Sequence, residues 1–216
     1  ALLEDIDEYK HFNDFFTRAL KDGSRPISDS KLVSPVDGVV SQFGSIKESM
    51  IVQAKGKEYS VEALLADNSI NDLYTSFVTI YLSPKDYHRI HMPFDGSLKL
   101  MKYIPGNLFS VNHRTVNDID EVFARNERLV IFFDTEYGEI ALVMVGAIFV
   151  GSMETSWEGQ ITPPYTMSIK TYDYDSRQIE LSKGEELGRF NMGSTVILVL
   201  PKESPKLNLE TGQVLN

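Results

Sequence analysis

Apolar residues follow two different rhythms along the chain. Over residues 1–30 they recur every three or four positions: Leu2, Leu3 and Ile6 fit one face, then Phe12, Phe15, Phe16 and Leu20 another. That spacing predicts short helices, with Asn13 placed to cap the second and Gly23 with Pro26 to stop it. From Leu32 the period shortens. Apolar, β-favouring runs broken by Gly and Pro predict strands at Val39–Phe43, Ile51–Ala54, Phe77–Leu82, Ser97–Tyr103, Leu129–Phe133, Ile140–Val150, Ile179–Leu181 and Thr195–Leu200. Val61–Ala66 reads as a short helix. Asp37-Gly38, Asp95-Gly96, Pro105-Gly106, Tyr137-Gly138 and Pro163-Pro164 mark turns. The expected class is α+β, mostly β: an antiparallel barrel- or sandwich-like core with N-terminal helices. The expected organisation is an N-terminal helical segment at 1–30, whose aromatics pack on the body of the domain or face a lipid or a partner, and a β-rich domain at 31–216. The tail after Pro201 reads as loosely ordered.

Composition narrows the classes. A chain of 216 residues with 42% apolar and 24% charged residues is long enough to bury a real core. It has no cysteine, which removes disulfides, thiolate nucleophiles and Cys-zinc sites. A net charge of −10 argues against a nucleic-acid partner. Contact with an anionic membrane would need a local basic or apolar patch. The acidic start, "ALLEDIDEYK", is unlike a signal peptide. The longest apolar stretch, Ala141 to Val150, is about half of the roughly 20 residues that span a bilayer.

Reactive residue types gather in four places: Ser34 to Gly38, Ser83 to Pro93, Asn107 to His113, and Gly193-Ser194-Thr195. Each has a plain reading. Asp37-Gly38 is a common turn, Gly-Ser-Thr a strand entry, and His113 a loop residue. His88 and His91 fit a polar loop, a pair of proton carriers, or a half-built metal site with His113 or Asp95 as third ligand. Together they allow an acid, a histidine and a serine to converge from separate strand ends. Ser194 stands out because Gly193, lacking Cβ, permits close approach to its carbonyl. Such a hydroxyl can attack the carbonyl before it.

Several longer stretches point further. They are "FFTRALKDGSRPI" (Phe15–Ile27), "SPVDGVVSQFG" (Ser34–Gly44), "YLSPKDYHRIHMPFDG" (Tyr81–Gly96), "LFSVN" (Leu108–Asn112), "FARNERLVIFFDTEYG" (Phe123–Gly138), "VGSMETSW" (Val150–Trp157) and "KGEELGRFNMGSTVI" (Lys183–Ile197). In these, over nearly its whole length, the chain resembles the pyruvoyl-dependent phosphatidylserine decarboxylases of bacteria and mitochondria. One departure is Met192, where the family usually has Leu; the swap nearly conserves volume, so processing is expected to survive it.

The resemblance implies self-cleavage between Gly193 and Ser194, giving chains 1–193 and 194–216 and a pyruvoyl group made from Ser194. His91 would take the Ser194 proton, and Asp37 would orient and stabilise the imidazolium. The pyruvoyl carbonyl would form a Schiff base with the amine of phosphatidylserine and act as electron sink while carbon dioxide leaves. His88 would return a proton before phosphatidylethanolamine is released. No metal is required. Family membership further implies a homodimer of processed protomers, attached peripherally to membranes at the cytoplasmic face of the bacterial inner membrane. The rival readings are a metal-dependent hydrolase using His88 and His91, and a non-catalytic lipid-binding module.

Overall fold

The structure, a computed structural model, describes residues 2–3, 5–70, 73–148, 152–191 and 195–216. The strands among them are β1 (Gly38–Ser45), β2 (Met50–Ala54), β3 (Lys57–Ser60), β4 (Tyr74–Tyr81), β5 (Arg89–His91), β6 (Gly96–Ile104), β7 (Arg128–Thr135), β8 (Gly138–Val145), β9 (Met153–Thr155), β10 (Gly159–Gln160), β11 (Lys170–Asp173), β12 (Glu180–Leu181), β13 (Glu186–Phe190), β14 (Thr195–Pro201) and β15 (Val214–Leu215). Four short α-helices accompany them, α1 (Phe12–Phe16), α2 (Val61–Leu65), α3 (His113–Asp118) and α4 (Val122–Arg125), with a 3-10 turn at Ile6–Glu8.

The main sheet runs β11-β6-β7-β8-β14-β4-β1-β15, with β12 also on β6. Its pairs are antiparallel and it stays open, so the core is a layered sheet rather than a closed barrel. Side chains of β7 alternate between its two faces, and both are covered, so Arg128 to Phe133 are buried in succession. Arg128 and Phe132 share one face. There Arg128 donates to the Ala63 and Leu64 carbonyls of α2, and Lys102 lies over the Phe132 ring. Phe133 is on the other face, edge-on to Trp157 in the turn between β9 and β10. That turn belongs to the second sheet, β10-β9-β13-β5. With layers on both faces, β7, β8 and β14 are buried from side to side. All seven residues of β14 are buried.

Each of the eight expected strands has a counterpart, and β3, β5, β9, β10, β11, β13 and β15 lie outside the expected set. β8 stops at Val145 because Gly146 N–H turns to donate to the Glu127 carbonyl (2.8 Å). The tail is docked rather than loose: Leu207, Leu209 and Leu215 pack on the core and β15 pairs with β1. The N-terminal helices are also shorter than their apolar spacing predicts. α1 is capped at His11, not Asn13, and ends where Thr17 folds its N–H and Oγ1 back onto the Asn13 carbonyl (2.9 Å each). After it the chain runs without helix to β1.

Candidate active site

One end of the main sheet collects the reactive residues. Val39, Tyr81, Thr195, Val145 and Arg128 lie side by side in register across β1, β4, β14, β8 and β7. At that end Asp37 precedes β1, the loop 82–88 leaves β4, and Thr195 opens β14. Gly38 is needed there: a Cβ would sit 2.6 Å from the Tyr81 carbonyl oxygen. Ser194 and Gly193, the expected cleavage residues, lie outside the described residues. Thr195, covalently next to Ser194, is buried and its Oγ1 has no partner among the described residues.

Asp37 is buried and held by Arg25. The Arg25 Nε donates to both carboxylate oxygens at 3.0 Å, and Nη2 donates to Oδ2 at 2.5 Å. Asp37 in turn holds the Arg25 guanidinium above its ordinary value. The turn carrying Asp37 is stitched to β5, because the Pro35 carbonyl accepts from His91 N–H at 2.8 Å.

The two histidines point to different places. Side chains alternate along an extended segment, so positions three apart face opposite ways. His88 turns inward, fully buried, its ring centroid 4.0 Å from that of Phe16 in α1. Its Nδ1 lies 2.8 Å from the Asp86 carbonyl oxygen. A carbonyl only accepts, so Nδ1 carries the proton and Nε2 the lone pair. That Nε2 has no partner among the described residues. Burial pushes the imidazole down to about 4, so the ring is neutral at pH 7.

His91 faces a cavity of about 610 Å³ shared with Arg25, Asp37, Tyr87 and Gly184. Its Nδ1 donates to the Gly184 carbonyl (2.8 Å), and the Tyr87 hydroxyl lies 3.1 Å from Nε2, with the two rings stacked. Burial first, then Glu186, pushes the Tyr87 phenol up to about 12, so it stays protonated and can donate to the Nε2 lone pair. Asp37 and His91 therefore share a cavity without a direct hydrogen bond between them. Among the described residues no three His, Cys, Asp or Glu side chains are grouped to hold a metal. His113 stands apart on the exposed α3, bonded to Asn117.

Arg25, Tyr87 and Gly184 were not singled out from the sequence. All three fall inside the longer stretches quoted for the resemblance, which was the available signal. A further pair, Asn191 Nδ2 to Ser152 Oγ at 2.6 Å, ties the end of β13 to the start of β9.

The family model described as phosphatidylserine decarboxylase matches residues 12–216. The chain is 54% identical over 204 residues to the phosphatidylserine decarboxylase proenzyme of Francisella philomiragia subsp. philomiragia, covering 93% of this chain and 72% of that protein. It is 53% identical over 213 residues to that of Francisella tularensis subsp. novicida, covering 97% and 75%. For that of Francisella tularensis subsp. holarctica the identity is 56% over 199 residues, covering 90% and 70%.

Proposed function

The chain belongs to the phosphatidylserine decarboxylase family, and we propose that it converts phosphatidylserine to phosphatidylethanolamine and carbon dioxide after cutting itself between Gly193 and Ser194. The observation that carries this reading is the family match over 12–216, which takes in the cavity at the sheet end, both histidines and the Gly193-Ser194 bond.

Self-cleavage begins when the Ser194 Oγ attacks the Gly193 carbonyl carbon and the peptide bond shifts to an ester. His91 Nε2 is the base that takes the serine proton; Gly184, accepting from Nδ1, keeps the lone pair on Nε2. Asp37 supplies the negative charge that stabilises the imidazolium across the shared cavity. Elimination then breaks the ester, leaving Gly193 as a carboxylate and residue 194 as a dehydro residue. Its imine tautomer is hydrolysed by water, releasing ammonia. The products are chains 1–193 and 194–216, the second opening with a pyruvoyl group.

Two buried polar atoms without partners among the described residues, His88 Nε2 and Thr195 Oγ1, suit such a group at residue 194. That group supplies a carbonyl that condenses with an amine and accepts the electron pair left by departing carbon dioxide. His88 is neutral at rest, so it can give only a proton it has first received. The substrate ammonium must lose one before its nitrogen can react. His88 Nε2 takes that proton and returns it to the substrate α-carbon once carbon dioxide has left. Phe16 keeps water from the ring meanwhile.

The lipid arrives from the side of segment 1–30, where Leu3, Ile6 and Phe12 are 54%, 64% and 64% exposed. Residues 31–216 form the catalytic domain. No helix among the described residues is long and apolar enough to cross a membrane. We place the enzyme peripherally, at the cytoplasmic face of the bacterial inner membrane, as a homodimer of processed protomers.

Intact mass and a denaturing gel test the reading. The expected result is two fragments, the smaller blocked at its N-terminus and lighter by one ammonia than the hydrolysis product. Ser194→Ala should stay whole. An unaltered single chain after incubation with phosphatidylserine vesicles would sink the self-processing claim.

A further inference from the structure

Asp37 enters the proposed chemistry as the charge that supports His91, yet the group bonded to its carboxylate is Arg25. The guanidinium meets both oxygens, and Nη1 also donates to the Ser24 carbonyl (3.1 Å), which fixes its plane. Asp37 is 7% exposed, whereas 40% of the Arg25 side chain is open to the cavity. A buried carboxylate is costly without a partner, and a planar bidentate cation is its best one.

No regular element holds Arg25. It lies between α1 and β1, in a segment anchored at both ends. The Thr17 carbonyl accepts from Arg89 Nε, and the Ser28 and Ser30 carbonyls accept from Lys183. The other titratable or charged residues on the cavity wall are Lys21, Asp22, Tyr87 and His91, with Asn216 at the last position. Glu186 lies opposite His91 on β13, and His88, just before β5, packs against Phe16. Among the described residues only Arg25 forms an ion pair with Asp37.

We propose that Arg25 is a positioning residue for self-cleavage: it holds the Asp37 carboxylate in a fixed orientation in the cavity that it shares with His91. This rests on the proposed roles of Asp37 and His91. It also requires segment 17–37 to be in place before the chain can cut itself.

The test is chemical rescue of the full chain, following cleavage on a denaturing gel. Arg25→Ala should cut on the order of 10- to 100-fold more slowly, less than a fully buried broken pair would cost because the cation is partly solvated. Because the vacated site opens onto the cavity, guanidinium chloride at concentrations far below denaturation should restore much of the rate. Sodium chloride at equal ionic strength should not. Arg25→Lys, which keeps the charge but loses the fork, should fall between Arg25→Ala and the unsubstituted chain. Cleavage of Arg25→Ala at the full rate overturns the proposal. So does slow cleavage in a variant with an unchanged melting temperature that guanidinium does not rescue. If Arg25→Ala melts early, Arg25→Lys decides instead: a normal melt with the full rate also overturns the proposal. Asp37→Asn separates the two levels. If it cuts normally, the role given to Asp37 fails; if it stays whole while Arg25→Ala is normal, only the role of Arg25 fails.

Discussion

The neutral, buried His88 has a thermodynamic consequence that can be measured without substrate. Its imidazole is pushed from 6.5 to about 4, chiefly by burial. Above about pH 7.5 the ring is neutral in folded and unfolded chains and adds almost no pH dependence. As the pH falls from there towards 4, the unfolded chain takes up a proton that the folded chain refuses, so stability is lost across that window. Between about pH 7.5 and about pH 5 the loss from this one ring is about 2 kcal/mol. Urea unfolding of the Ser194→Ala chain, followed through the single tryptophan Trp157, supplies the assay. His88→Gln in the same background removes the titration while the other ionisable groups stay, so its stability should fall by about 2 kcal/mol less over that interval. Phe16→Ala, which strips the ring 4.0 Å from the imidazole, should shrink the pH-dependent loss while lowering overall stability by about 3 kcal/mol. Equal losses with and without the His88→Gln substitution would refute the reasoning. The ring would then be solvated or charged in the folded state, and the proton-carrier role built on its neutrality would fall with it.

Other consequences can be checked more briefly. Gly106→Ala should destabilise the fold by about 3 kcal/mol in urea titrations, because its Cβ would lie 2.5 Å from the Arg125 carbonyl oxygen. Unchanged stability would mean that the loop before α3 shifts freely. After self-cleavage the chain 194–216 should co-elute with the large chain in native size-exclusion chromatography and part from it only in denaturant. Val196 to Leu200, buried between β4 and β8, hold it with roughly 10 kcal/mol of apolar burial. Loss of the small chain on simple dilution would contradict this. Phe12→Asp should leave the melting temperature within about 1 °C, because the ring is 64% exposed, yet lower activity on long-chain vesicles more than on short-chain soluble phosphatidylserine. Equal losses on both substrates would remove Phe12 from the lipid contact.

What the sequence made legible follows from how each feature is encoded. β7, β8 and β14 are continuous apolar runs because they are covered on both faces, and such runs stand out in one dimension. β11 and β13 do not. The first is a largely exposed edge strand and the second, "ELGRF", mixes charge with a glycine at its closest approach to Glu154. The tail escaped notice because its anchors, Leu207, Leu209 and Leu215, are scattered among polar residues. At the cavity, the histidines could be marked as candidates because the chain has only four, and Asp37, one of many acids, because it falls in a stretch that carries the resemblance. Their immediate partners could not be: Gly184 contributes only a carbonyl to His91, from 93 positions away, and no side-chain pattern encodes that.

The N-terminal segment joins these threads. Phe16 closes over His88, Arg18 donates to the Lys85 carbonyl, the Thr17 carbonyl accepts from Arg89, and Arg25 pairs with Asp37. This one stretch, α1 and the irregular segment after it, thus packs on the histidine proposed for proton return and holds the carboxylate that shares a cavity with the one proposed for self-cleavage. The same stretch follows the exposed apolar residues Ile6 and Phe12. A lipid surface that engages those residues and shifts α1 must move Phe16 with it, since both phenylalanines belong to one helix. On the proposed lipid contact, water access to His88 would depend on how that helix sits, which would couple substrate approach to the proposed carrier through five residues of helix.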